Sequence, residues 1–178
     1  MYYFQPLASS RKYEAEYFTA TILEWQHLLA DDLFKDLIIR SMRYMVDNKK
    51  AMIHAFVIMD NHMHLIWHIL HPHPRDAVQR DMLKFVAQTI VRELRDNKPE
   101  ELTKFYVGAQ DRKYQIWERN PLSIPLWNED VLKQKLAYIH NNPVRAGLCN
   151  YPEDYKYSSA SIYTGREDLF GFITPVYF

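Results

Sequence analysis

Cysteine is almost absent from this chain, in which Cys149 is the single one among 178 residues. One cysteine cannot form an internal disulfide framework or a cysteine-based metal cluster, and this usage is typical of a reducing compartment. Glycine is also scarce, at four residues, whereas hydrophobic residues make up 48% of the chain and aromatic residues 15%. Such a composition excludes a fibrous or disordered chain and predicts a packed globular protein.

A surplus of either charge is lacking too. Lys plus Arg and Asp plus Glu number 22 each, so the formal net charge is zero. A neutral chain has no general attraction for a polyanion, and any nucleic-acid binding must therefore depend on a local basic patch. The length favours one hydrophobic core, and we expect residues 1–178 to form a single domain, with 144–178 as a tyrosine-rich C-terminal extension.

Long apolar runs are missing as well. The first residues lack the basic start and apolar stretch of a signal peptide, and no run approaches the roughly 20 apolar residues of a membrane span. The sequence therefore predicts a cytoplasmic protein without a membrane partner.

In the first third of the chain, the pattern predicts a strand and then a helix. Residues 17–25 alternate and are rich in aromatic and β-branched side chains, which favours a strand. Asp31 and Asp32 are candidate caps of a helix that ends near Asn48 and places its apolar residues at helical spacing.

The middle of the chain predicts a hairpin followed by a second helix. The apolar runs 51–59 and 62–70 flank Asp60-Asn61, a pair typical of a tight turn between antiparallel strands. A helix over 76–97 follows, because its apolar residues recur on one side. These residues are Val78, Met82, Phe85, Val86, Ile90 and Leu94.

The remaining pattern completes an α+β fold. A polar loop is expected over 98–112 and an irregular strand segment over 114–127, and Asn128 can cap a third helix that Pro143 stops. The order of the elements predicts a ferredoxin-like antiparallel sheet with helices packed on one face.

The stretch MDNHMHLIW contains the most distinctive pattern of polar residues. On a strand, His62 and His64 share one face about 7 Å apart, from which both imidazoles can converge on one metal ion. Taken alone, such a pair more often consists of two surface histidines that are only hydrogen-bonded and bind no metal. His68 lies too far along the strand to join the pair, and His54 on the neighbouring strand fits either a third ligand or a core histidine.

The third helix carries a second candidate group. Tyr138 and Asn142 are four residues apart and so lie on the same helical face, about 6 Å apart in rise. Leu132, Leu136 and Ile139 form an adjacent apolar stripe that can pack on the sheet. The tyrosine and the amide could then face the histidine strand.

Three motifs together resemble one family. DNHMHLIW matches the histidine-hydrophobic-histidine (HUH) motif of single-tyrosine transposases, and YIHNNPVRAG followed by PEDYKYSSASIY resembles their REP-associated tyrosine transposase branch. The resemblance runs from about residue 17 to about residue 163 and keeps the family's order of motifs.

The resemblance implies an HUH endonuclease fold and a DNA strand-transfer chemistry. His62, His64 and Asn142 would hold Mg²⁺ or Mn²⁺, and Tyr138 would be the nucleophile that forms a covalent 5′-phosphotyrosine. The substrate would be single-stranded or hairpin DNA at palindromic repeats, and the enzyme would act as a monomer or a homodimer. One departure concerns Leu122, which stands where relatives of this branch carry a histidine.

Basic residues supply candidate DNA contacts. The second helix carries a basic stripe opposite its apolar side, and Arg145 follows the tyrosine. The stripe consists of Arg80, Lys84, Arg92 and Arg95. Ordinary surface charge is the alternative for this stripe. Gln134 and Lys135 could assist Tyr138, and the alternatives are a solvated helix face for Gln134 and ordinary surface charge for Lys135.

Three aromatic residues have two possible roles. Tyr106, Tyr114 and Trp117 could stack on unpaired bases, or they could fill the core.

Two other functions also remain open. One is a DNA or RNA hairpin-binding protein of the same fold that does not cleave. The other is a histidine-metal hydrolase of the barrel type, which the sequence disfavours because such barrels usually need about 250 residues and alternating strands and helices.

Overall fold

The computed structural model describes residues 15–178. The N-terminal stretch that lacks a signal-peptide pattern falls largely within residues 1–14 and lies outside the described residues. Within them, the chain forms β1 (Glu16–Thr21), α1 (Asp32–Asp47), β2 (Ala51–Ile58), β3 (His62–Ile69), α2 (Arg75–Asn97), α3 (Pro99–Leu102), β4 (Leu122–Pro125), α4 (Glu129–Arg145) and α5 (Ala160–Tyr163). No helix in this part of the chain is long and apolar enough to cross a membrane.

The four strands form one antiparallel sheet in the order β2-β3-β1-β4. With α1 and α2 as the connections, this is the β-α-β-β-α-β arrangement of ferredoxin-like folds, and the predicted fold class is confirmed. The predicted hairpin turn at Asp60-Asn61 is closed by a hydrogen bond from the Met59 amide to the His62 carbonyl, at 2.8 Å.

Alternation along the strands divides the apolar residues between two cores. Phe18, Leu65 and Trp67 belong to the larger core, which lies under α1 and α2. Tyr17 and Ile66 point to the opposite face, where the apolar stripe of α4 covers them. The sheet therefore carries helices on both faces, whereas the sequence predicted helices on one face only.

β1 is shorter than predicted. It ends at Thr21, which opposes His62, the first residue of its partner β3. The next residues form a 3₁₀ turn, Leu23–Trp25, in which Glu24 and Trp25 both adopt left-handed backbone, with φ values of 54° and 57°.

The prediction for α2 was wrong at one apolar position. Its buried row follows steps of four residues through Met82, Val86 and Ile90, and Phe85 lies off this row with 55% of its surface exposed. The predicted polar loop after α2 also contains structure. It folds into α3 and a 3₁₀ turn because Leu102 and Phe105 are buried in the larger core.

α4 continues past the proline that was expected to stop it. Pro143 lies in the last turn of α4, and its ring fixes a helical φ. Because proline has no N–H, the helix lacks one hydrogen bond at this position. The Ala146 amide still donates to the Asn142 carbonyl at 3.0 Å.

The tyrosine-rich segment after α4 packs on β2. The Tyr155 hydroxyl donates to the Ile58 carbonyl and the Tyr163 hydroxyl donates to the His54 carbonyl, each at 2.9 Å. Ile173 forms a parallel bridge with Ile53. The segment thus fixes β2 and, through the hairpin, the start of β3.

Candidate functional site

His62 and His64 lie together at the start of β3. Their side chains leave the same face of the strand, and their ring centroids are 4.7 Å apart with the rings at 67°. This is closer than the spacing of the two residues along the strand, because the rings lean towards each other. The geometry suits two donors that converge on one ion.

Asn61 determines which nitrogen of His62 can coordinate. The Nδ1 atom of His62 lies 2.7 Å from Oδ1 of Asn61. An amide oxygen only accepts hydrogen bonds, so Nδ1 carries the proton in the neutral ring and Nε2 keeps its lone pair.

His64 is oriented from the neighbouring strand. Its Nδ1 atom lies 2.8 Å from the Tyr17 hydroxyl and 2.7 Å from the Thr19 hydroxyl, both on β1. Its Nε2 atom is buried and has no hydrogen-bond partner among the described residues. A buried nitrogen without a partner is costly, and a divalent cation bound at Nε2 would remove that cost. The residues therefore fit a metal ion.

The protonation of the two rings also suits a metal. Burial lowers the pKa of His64 to about 3, and the charges of His62 and Lys135 act in the same direction. Burial lowers the pKa of His62 as well. Both imidazoles are therefore neutral near pH 7, which is the form that binds metals.

A third ligand is less defined. In residues 15–178, no cluster of three or more His, Cys, Asp or Glu side chains could hold a metal. Asn142 follows Tyr138 by one helical turn, and its Nδ2 atom donates to the Tyr138 carbonyl at 2.9 Å. That bond uses the amide nitrogen, so Oδ1 is the atom that could coordinate. Its role as a ligand stays a prediction.

Two other histidines take no part in this arrangement. His54 occupies the irregularity in the β2–β3 ladder, and its Nδ1 atom pairs with the Thr174 carbonyl at 2.8 Å. Burial lowers the pKa of His54, and His68 is buried close enough to lower it further. These contacts favour the interpretation of His54 as a core histidine.

Tyr138 lies beside the histidine pair. Its ring centroid is 5.5 Å from that of His64 and 6.3 Å from that of Tyr17. The neighbouring residue Ile139 is fully buried in the smaller core and fixes the rotation of α4, while Tyr138 keeps 38% of its surface exposed. A partly exposed tyrosine thus lies next to His64, a potential metal ligand.

Two cations flank the Tyr138 ring. The Lys135 ammonium lies 5.7 Å from the ring centroid and 4.5 Å from the Tyr17 centroid, and the Arg145 guanidinium carbon is 5.6 Å from the Tyr138 centroid. Positive charge beside the Tyr138 ring suits an anionic ligand such as a phosphodiester. Gln134, by contrast, is exposed on α4.

The predicted basic stripe lines two neighbouring grooves. α2 and residues 111–121 enclose a groove of about 940 Å³ that contains Arg80 and Lys84. An adjoining groove of about 500 Å³ contains Arg92 and Arg95. Both lie on the side of the sheet that carries α2, whereas the histidine pair lies on the α4 side. The predicted DNA contacts are therefore split between two places.

The aromatic residues near these grooves differ in role. Trp117 is buried in the larger core, and its indole nitrogen donates to the Leu83 carbonyl at 3.1 Å, so it is a core residue. Tyr106 is exposed and contacts the half-buried Tyr114, with 5.9 Å between the ring centroids.

Leu122 lies on the same face of the sheet as the histidines. It opposes Thr19 on β1, and Thr19 in turn opposes His64 on β3. Two strand spacings separate Leu122 from His64, or about 10 Å. Leu122 is exposed and lies on the far side of Thr19 from the His62 and His64 pair.

Sequence reasoning missed three residues that shape the site: Tyr17, Thr19 and Asn61. Asn61 was visible only as part of a turn, and the pairing of β1 with β3 would have been needed to find the other two. That register was not apparent in the local pattern of either strand.

Comparison with known proteins extends these observations. No protein-family model matches the chain, and no curated protein matches it. Among solved structures, the chain is similar to the REP-associated tyrosine transposase bound to a REP hairpin, with a TM-score of 0.65 and 15% identity over 100% of this chain and 99% of that chain. The two chains share a fold. A candidate transposase from Deinococcus radiodurans is 17% identical over 71% of this chain and 88% of that chain, and its TM-score of 0.40 is too low to establish a shared fold.

Proposed function

We propose that this protein is a metal-dependent enzyme that nicks and rejoins single-stranded DNA at hairpins through a covalent 5′-phosphotyrosine at Tyr138. One observation carries the proposal. Two neutral imidazoles lie together, with the buried Nε2 atom of His64 unpartnered among the described residues, and a partly exposed tyrosine ring is 5.5 Å from that imidazole. Metal donors and a hydroxyl nucleophile in one place are what phosphodiester transfer needs.

The metal ligands in this proposal are His62, His64 and Asn142. The ion would be Mg²⁺ or Mn²⁺, and two imidazoles suit Mn²⁺ at least as well as Mg²⁺. When bound, it supplies Lewis-acid polarisation of a phosphoryl oxygen. The hydroxyls of Tyr17 and Thr19 hold the His64 ring in its orientation, as outer-shell partners commonly do for metal-bound histidines.

The covalent step conserves the energy of the phosphodiester. The Tyr138 hydroxyl oxygen attacks phosphorus and loses its proton, the bond from phosphorus to the 3′ oxygen breaks, and that oxygen leaves with a proton as a 3′-hydroxyl. Attack of a 3′-hydroxyl on the phosphotyrosine reverses these events and rejoins a strand. Lys135 and Arg145, which flank the Tyr138 ring, would hold the anionic phosphate during both steps.

The shared fold supports a hairpin as the substrate, because the similar transposase was solved with a REP hairpin. Arg80, Lys84, Arg92 and Arg95 would bind the phosphates of the hairpin in the α2 grooves. We expect the enzyme to act in the cytoplasm, without a membrane partner, as a monomer or a homodimer.

The test compares wild type with Tyr138→Phe on a pool of single-stranded DNA hairpins in the presence of Mn²⁺. We expect wild type to form a protein–DNA adduct that survives denaturing electrophoresis. Tyr138→Phe should form no adduct and should bind the same hairpins with unchanged affinity. Tyr44→Phe, an exposed tyrosine on α1, is the matched control and should form the adduct normally.

The outcome also decides between the two functions of this fold. Hairpin binding without any adduct would contradict the enzyme and favour a hairpin-binding protein that does not cleave. If wild type neither binds hairpins nor forms an adduct, both functions are wrong.

A further inference from the structure

The 3₁₀ turn after β1 presents a tryptophan to solvent beside the histidine pair. Trp25 has 60% of its surface exposed, which excludes a role in core packing. Glu24 and Trp25 are consecutive residues with left-handed backbone, at φ values of 54° and 57°. L residues other than Asn and Asp rarely adopt this conformation, and it persists where surrounding contacts enforce it, often at functional sites.

The contacts that enforce this conformation come from three sides. The Trp25 amide donates to the Ile22 carbonyl at 2.9 Å, and the Glu24 amide donates to the Glu118 carboxylate at 2.6 Å. Nδ2 of Asn61 donates to the Trp25 carbonyl at 3.4 Å. The turn is therefore fixed to the segment before α4 and to the hairpin that carries His62.

The indole is fixed relative to the candidate metal ligand. Its ring centroid lies 5.9 Å from that of His62, with the two rings at 65°. The same Asn61 side chain that contacts the Trp25 carbonyl also orients the His62 ring through Oδ1. One side chain thus contacts both the backbone of Trp25 and the His62 ring.

The turn contacts both the hairpin that carries the histidines and the lining of the larger basic groove. Glu118, whose carboxylate accepts from the Glu24 amide, is one of the residues that line that groove. A nucleic acid that occupies the groove on the α2 side and reaches the histidines on the α4 side can therefore pass over Trp25.

We propose that Trp25 is the stacking platform for an unpaired base next to the phosphate that reacts at His62, His64 and Tyr138. This inference rests on the proposed function and adds to it one substrate-binding residue, Trp25. The backbone of Trp25 is held in a conformation that it rarely adopts, and its indole is exposed and contacts the candidate metal ligand His62. The indole therefore offers a flat apolar surface to one base. Stacking of this kind tolerates any base, because every base has a π face.

The experiment uses full-length protein and a DNA hairpin selected by wild type from a randomised pool, prepared with an unpaired extension and without it. We expect Trp25→Ala to lose about ten-fold or more in affinity for the extended hairpin, within the range for one stacked base. Affinity for the hairpin without extension should stay unchanged. Trp25→Phe should recover part of the loss, because it restores an aromatic ring.

Trp127 provides a matched control, since it is exposed to 62% and lies at the start of α4 beyond β4. Trp127→Ala should bind both hairpins as wild type does. The extended hairpin should quench the emission of exposed tryptophan in wild type and in Trp127→Ala, and this quenching should disappear in Trp25→Ala. Thermal unfolding of each variant should match wild type, because both indoles are exposed.

The outcomes separate this inference from the proposed function. If wild type selects a hairpin and Trp25→Ala binds both forms with wild-type affinity and quenching, Trp25 is not a stacking platform, and the proposed enzyme stands. If no hairpin is selected at all, the proposed function and this inference are both wrong.

Discussion

At the scale of single residues, the histidine pair depends on hydrogen bonds made from outside β3. Asn61 fixes His62, and two hydroxyls on β1 fix His64. In each ring the Nδ1 atom is occupied, so the Nε2 atom is the one available to a ligand. Coordination by preoriented rings loses less side-chain entropy than coordination by mobile ones.

The lowered pKa values predict how metal binding depends on pH. Two imidazoles with the ordinary pKa of about 6.5 would lose roughly a hundred-fold in metal affinity between about pH 7.5 and about pH 5.5, because both would become protonated. The pKa of His64 is about 3, so this ring stays neutral, and only His62, whose pKa is also lowered, can take up a proton. Mn²⁺ affinity should therefore fall by less than about ten-fold.

Calorimetric titration of the protein with Mn²⁺ at the two pH values measures this change. His64→Ala is the control and should bind Mn²⁺ poorly at both. A hundred-fold loss in wild type on acidification would show that the rings titrate like exposed histidines.

Residue periodicity predicted part of the geometry around the candidate site. The two-residue period of a strand placed His62 and His64 on one face, and the period of a helix placed Tyr138 and Asn142 together beside the stripe that packs on the sheet. Lys135 was open to two interpretations, because its contact with Tyr17 depends on where α4 lies on β1. Such a contact between distant segments has no local signature.

At the scale of elements, α1 ends in a motif that usually contains glycine. Lys49 has a left-handed φ of 53°. Its amide donates to the Val46 carbonyl at 3.0 Å, and the Lys50 amide donates to the Met45 carbonyl at 2.9 Å. These two bonds are the Schellman arrangement, which satisfies the last carbonyls of a helix.

Lys49→Gly should therefore stabilise the protein by about 0.5–1 kcal/mol. The left-handed conformation costs an L residue about 1–2 kcal/mol, which glycine avoids. Part of this stabilisation is lost, because glycine makes the unfolded chain more flexible. Urea unfolding of the two proteins measures the difference. Lys50→Gly is the control, since Lys50 is not left-handed and the change should lower stability. Equal or lower stability of Lys49→Gly would contradict the argument.

The ends of elements were predicted less well than their existence. β1 ends at Thr21, opposite the first residue of β3, and α3 forms because Leu102 and Phe105 reach the larger core. Both features involve tertiary contacts. Local signals did suffice for the Asp60-Asn61 turn and for the Asn128 cap, whose side chain accepts from the Val131 amide at 2.8 Å.

At the scale of the whole molecule, a neutral net charge coexists with a basic surface around α2. Hairpin binding should depend on salt through the few phosphates bound in the grooves, since the molecule as a whole has no attraction for DNA. Lys84→Gln should weaken hairpin binding for all sequences alike and reduce the slope of log affinity against log salt by about 1.

Binding isotherms over a series of salt concentrations give this slope. Arg166→Gln is a suitable control, because Arg166 lies in the C-terminal segment and pairs with Asp154 at 3.2 Å. An unchanged slope in Lys84→Gln would show that the α2 groove does not bind phosphate.

The fold class could be predicted because the residue pattern indicates the order of strands and helices along the chain. The covering of both faces of the sheet could not, since the apolar stripe of α4 was compatible with either face. The face was decided by the smaller core, in which Ile139 packs with Tyr17 and Ile66.

The C-terminal segment has one further consequence, for how copies of this protein can meet. β2 is an outer strand of the sheet, and the bridges from Ser158 to Val57 and from Ile173 to Ile53 lie along it. Backbone groups in these bridges cannot form hydrogen bonds with a strand of another molecule. Pairing of such free edge strands is the usual start of aggregation between sheets. A homodimer therefore could not extend the sheet continuously across β2.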